Sequence, residues 1–202
     1  LGVDLFFTLS GFLITSLLLE ERISVGRLNL PDFWRRRARR LLPALFAMLA
    51  VVVIVPWFVT NFVSSSALAG FDVGEIRSGA LSSWFYVANW FAIFHGHSYF
   101  AQLSLPSPLN HTWSLAIEEQ FYLVWPLVTL ALVGRGVWRR RRGVLVTVLI
   151  AVASSVAMAV LVHHSTDAIN LVYNATYTRL FDLGIGSALA WLTVQRLSLI
   201  HI

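Results

Sequence analysis

The run His111-Thr112-Trp113-Ser114-Leu115-Ala116-Ile117-Glu118-Glu119-Gln120-Phe121-Tyr122 places acids inside an otherwise apolar stretch. An Asp or Glu at the middle of a membrane helix costs about 2.5 to 3.5 kcal/mol, so such a residue is a functional candidate by default. Helical spacing aligns His111, Ser114, Glu118, Tyr122 and Trp125 on one stripe, while Glu119 points about 100° away. A buried carboxyl that can trade protons with an imidazole is the equipment of general acid or base chemistry. Glu118 and His111 are therefore the candidate catalytic pair, and Ser114 and Tyr122 candidate substrate contacts. The competing reading is that paired acids near a helix start serve the helix dipole.

Two further places carry charge among apolar residues. Asp4 shares a helical face with Thr8, Gly11 and Thr15, a polar and small stripe suited either to substrate binding or to helix packing. Arg179 and Asp182 are spaced i to i+3, so they either contact substrate or neutralise each other at a helix end. Arg36 with Arg40, or Arg37 with Arg40, project together from a helix, a geometry that can clamp phosphates. The same cluster also reads as a topology signal that binds anionic lipid. His95 and His97 lack a matching carboxylate, and no metal site is expected. Asn110-His111-Thr112 and Asn174-Ala175-Thr176 fit the glycosylation sequon, a pattern frequent by chance. No G-x-S-x-G, G-x-G-x-x-G, phosphate-loop or H-E-x-x-H pattern occurs.

The elements that must position these residues belong in a bilayer. Of 202 residues 57% are apolar and 12% charged, and the mean hydropathy is +0.73, whereas soluble domains carry about 25% charge. The expected fold is all-α, a polytopic bundle of five or six membrane helices. Cysteine is absent, which removes disulfides, thiolate nucleophiles and cysteine-based zinc sites. All fifteen basic residues are Arg, and the net charge of +5 is read by location, not as nucleic-acid affinity.

Leu1 to Leu19 reads as the first span, followed by seven Arg between Arg22 and Arg40, a cytoplasmic signature. Pro31 to Arg40, with Phe33 and Trp34, suits an interfacial helix. Leu41 to Val63 is the next span, with Pro56 a kink. Ala80 to Phe94 is short and carries Asn89; it is expected to enter the membrane without crossing. Thr112 to Val133, Val144 to Val162 and Leu180 to Val194 complete the set. Arg135 and Arg139 to Arg142 again indicate cytoplasm, which full alternation of every run forbids. A non-crossing Ala80 to Phe94 removes that conflict.

The ordered motifs resemble the bacterial acyltransferase-3 family of integral-membrane O-acyltransferases. Gly2 to Ile14 is similar to its G-x-x-x-F-F-x-x-S-G-F motif, Phe33 to Pro43 to its R-x-x-R motif, and His111 to Tyr122 to its W-S-L-x-x-E-E-Q-F-Y signature. Arg179 to Gly186 resembles a weaker downstream pattern. The resemblance covers residues 1–196 as a partial acyltransferase domain; residues 197–202 read as a non-native adapter-derived tail. It implies transfer of an acyl group, commonly acetyl from acetyl-CoA, to a hydroxyl of a cell-envelope glycan or glycoside in the bacterial inner membrane. Acyl-CoA would be the donor co-substrate, with no bound cofactor and no nucleic-acid partner. Arg37 and Arg40 would hold donor phosphates, and Glu118 would orient or share a proton with a family His expected upstream of Leu1. Without that His the fragment is expected to be inactive. The alternative from another class is a transporter or exporter of a polar or acylated solute, using the intramembrane carboxylates.

Overall fold

The computed structural model describes residues 2–63, 73–95, 109–133, 139–164 and 169–200. The described elements are all helical: α1 Gly2–Val25, α2 Leu30–Phe58, a π-helical turn Val59–Val63, α3 Val73–Trp84, α4 Ala88–Phe94, α5 Thr112–Leu132, α6 Arg139–His164, α7 Ile169–Asn174 and α8 Thr176–Ile200. Among the described residues four helices are long and apolar enough to cross a membrane: Gly2–Val25, Leu30–Phe58, Thr112–Leu132 and, within α6, Arg141–His163. The Leu180 to Val194 run lies inside α8, a helix packed against both α1 and α6. The chain divides into two compact units, Leu1–Pro31 with Glu118–Ile202, and Asp32–Ile117.

In the first unit, glycines bring the backbones together. A Cβ on Gly11 would overlap the Leu183 carbonyl, and one on Gly186 the Thr8 carbonyl. Close approach of this kind is how membrane helices associate where burial against lipid supplies no drive. Gly143 lies under the Trp191 indole, and a Cβ on Gly184 would stand 3.1 Å from the Thr147 carbonyl oxygen. The residue pairs also set direction. Asp4 meets Arg179 and Thr15 meets Ser187, so α1 and α8 run parallel. Gly143 meets Trp191 while Ser154 meets Tyr177, so α6 and α8 run antiparallel.

The second part of α5 also runs parallel to α1, with Ser10 facing Glu118 and Thr15 facing Trp125. Leu19 and Val133 then close one apolar cluster with Trp191 and Val194. The arginine-rich segments that follow α1 and α5 thus start from the same end of this unit.

In the second unit the interfacial helix and the following span are one continuous helix, not two: Pro31 stands in the first turn of α2, where its missing N–H is no loss, and Pro43 lies within it. Pro56 removes a ladder hydrogen bond, and the helix shifts to π-type turns directly after it. The Ala80 to Phe94 run is broken between α3 and α4. Val87 N–H donates to the Ser82 carbonyl at 2.8 Å and Tyr86 N–H to that of Ser83 at 3.1 Å, the bonding of a Schellman cap. The left-handed position, glycine in most such caps, is Tyr86 at φ 54°. Its side chain packs on the cluster of Leu45, Leu49, Ala80 and Leu109, which offsets the backbone cost. With 12 and 7 residues, neither α3 nor α4 has the length to cross.

Candidate active site

Glu118 is buried, and two hydroxyls bind its Oε1: Ser10 Oγ donates from α1 at 2.6 Å, and Tyr122 Oη donates from one turn further along α5. Ser10 and Tyr122 are buried as well. The i to i+4 relation on α5 explains Tyr122. Ser10 reaches Glu118 because Gly11 lets α1 press against α8, leaving the Ser10 side of α1 to α5. The result is a carboxylate held by two O–H donors inside helices apolar enough to span a membrane.

One turn deeper, Trp125 Nε1 donates to Thr15 Oγ1 at 2.8 Å, and Thr15 Oγ1 lies 2.9 Å from Ser187 Oγ and 2.7 Å from the Gly11 carbonyl. This second polar layer ties α1, α5 and α8 together. It orients the stripe that carries Glu118, because Trp125 and Tyr122 stand on the same side of α5.

The remaining stripe residues sit elsewhere. α5 begins at Thr112, so His111 belongs to the preceding turn, where its side chain is exposed. Ser114 Oγ donates to the His111 carbonyl at 3.1 Å. The hydrogen bonds to Glu118 come from Ser10 and Tyr122, not from His111 or Ser114. Gln120, on a different face, accepts from Thr176 Oγ1 at 2.6 Å.

Arg179 does not pair with Asp182. Its Nη1 donates to Asp4 Oδ1 at 3.1 Å, its Nε donates to the Tyr173 carbonyl at 2.9 Å, and its guanidinium lies 4.6 Å from the Tyr173 ring centroid. The i to i+3 pairing fails because α7 presents both an acceptor and an aromatic face, and α1 brings a second carboxylate. Asp182 is only 3% exposed, and its Oδ2 accepts no hydrogen bond.

In the other unit, Arg35 pairs with Asp32 at 2.5 Å. Arg36 and Arg40 are exposed on one side of α2, and Arg37 is half-buried on the turn above Phe33. This surface carries guanidinium groups at the start of a helix long and apolar enough to cross a membrane. His95 is exposed with its Nδ1 3.1 Å from the Phe91 carbonyl oxygen, and His97 lies outside the described residues.

Sequence reasoning did not find Ser10, Ser187 or Tyr173. The signal available for the two serines was their small size and polarity beside glycines of closely packed helices; Tyr173 left none.

The family described as an acyltransferase domain matches residues 1–192. The chain is 44% identical over 193 residues to the peptidoglycan O-acetyltransferase OatA of Listeria monocytogenes, an alignment covering 95% of this chain and 29% of that protein. It is 44% identical over 194 residues to the putative peptidoglycan O-acetyltransferase YrhL of Bacillus subtilis, covering 94% of this chain and 28% of that one. With the O-acetyltransferase OatA of Staphylococcus aureus the identity is 38% over 192 residues, 95% of this chain and 30% of that protein. The chain therefore spans less than a third of these relatives' length. No solved structure matches.

Proposed function

The chain belongs to the acyltransferase domain family, and from that membership we propose that it is the membrane part of an O-acetyltransferase acting on cell-wall carbohydrate. The observation that carries this reading is the buried Glu118 carboxylate bound by Ser10 and Tyr122. The donor in this proposal is acetyl-CoA. A sugar hydroxyl attacks the thioester carbonyl, the new C–O bond forms, and the C–S bond breaks. The hydroxyl proton passes to a base and the departing thiolate takes up a proton. Glu118 belongs to that relay, since a carboxylate held by two O–H donors can take and return a proton along them.

Arg36, Arg37 and Arg40 supply the donor contact, with guanidinium groups suited to the phosphates of CoA. Their setting on the arginine-rich side supports a donor drawn from the cytoplasm. The acceptor proposal comes from the relatives, two of whose names specify peptidoglycan.

The test uses membranes containing the full-length protein, labelled acetyl-CoA and soluble peptidoglycan fragments. The expected result is labelled O-acetyl sugar, with the donor KM raised about tenfold or more by Arg37→Ala with Arg40→Ala. Solute flux without thioester consumption would overturn the reading in favour of a transporter.

A further inference from the structure

Asp182 stands apart from the chemistry assigned above. It is 3% exposed, lies on α8, and holds a carboxylate oxygen without a hydrogen-bond partner. A buried acceptor left open is costly, so such a group calls for a donor. The nearest cation in sequence, Arg179, is engaged by Asp4 and Tyr173.

Its position is equally specific. Asp4 and Glu20 lie at opposite ends of α1, about 24 Å apart at 1.5 Å per residue. The Asp4–Arg179 pair thus marks the end of the unit remote from the arginine-rich segments. Asp182 directly precedes Leu183, whose carbonyl abuts Gly11, next to Ser10 that binds Glu118. Along the bundle Asp182 falls between the Asp4–Arg179 pair and the Glu118 layer.

We infer that Asp182 Oδ2 accepts a hydrogen bond from a hydroxyl of the saccharide acceptor, and that Asp4 and Tyr173 keep Arg179 turned away so that this oxygen stays open. The inference rests on the O-acetyltransferase reading and adds the residue that holds the acceptor. Asp182 is the binding group; Asp4 is a positioning residue that acts through Arg179.

The experiment measures acetyl transfer by the full-length protein in liposomes, varying acetyl-CoA and a soluble peptidoglycan disaccharide independently. Asp182→Asn raises the acceptor KM about tenfold or more and leaves the donor KM unchanged. Asp4→Asn, at a partly exposed position that tolerates change, releases Arg179 toward Asp182 and raises the acceptor KM as well. The double variant is no worse than Asp182→Asn alone, because the two act on one oxygen. An unchanged acceptor KM in Asp182→Asn, equal rises in both KM values, or additive effects in the double variant would overturn the inference while leaving acetyl transfer intact. A wild-type protein that transfers acetyl to no saccharide would bring down the functional reading and this inference with it.

Discussion

At the residue scale, the account turns on Glu118 and its two hydroxyl partners. Glu118→Gln keeps the size and an acceptor but cannot exchange a proton, so acetyl transfer by the full-length protein should fall about a hundredfold or more. Thermal unfolding of the purified variant should change little by comparison. Tyr122→Phe removes one of the two O–H donors and is expected to lower transfer about tenfold, read in the same assay. The Glu118 to Tyr122 contact was legible because i and i+4 on a helix are neighbours. Ser10, 108 residues away, was not, since only the packing of α1 against α5 brings it near. Arg179 shows the same limit: local spacing pointed to Asp182, whereas the partner 175 residues away prevailed.

At the element scale, α1 and α8 depend on glycine at their crossing. Gly186→Leu should drive α8 from Thr8 and α1, with loss of several kcal/mol, measured as loss of folded protein in detergent by size-exclusion chromatography. Gly2→Ala, where a Cβ meets nothing within 4 Å, is the control and should be neutral. The long helices were legible from their apolar runs, and α5 runs Thr112–Leu132 against an expected Thr112 to Val133. Two features were hidden. Nothing in local pattern shows that the Arg-rich stretch and the span after it form one helix, because Pro43 falls inside α2 and does not end it. The break between α3 and α4 was hidden too, because a tyrosine, not a glycine, takes the left-handed position.

At the scale of the whole molecule, topology is the open arithmetic that the helix directions resolve. With α1 and the second part of α5 parallel, the C-terminal ends of both lie on one side, which the arginine count predicts to be the cytoplasmic one. The chain holds no cysteine, so single substitutions give clean reporters. Gly26→Cys and Arg141→Cys, at the end of α1 and the start of α6, should both react with an impermeant thiol reagent from one and the same side of the membrane, expected to be the cytoplasmic one. Labelling of Gly26→Cys and Arg141→Cys from opposite sides would contradict the helix directions. The membrane class was legible from composition, whereas the helix directions needed the tertiary contacts.

The most direct test of the central claim is transfer of labelled acetyl from acetyl-CoA to peptidoglycan fragments by the full-length protein in liposomes, wild type beside Glu118→Gln. The account predicts labelled sugar ester with the wild type and a loss of about a hundredfold or more with a folded Glu118→Gln variant. Equal ester formation by the two proteins would contradict it.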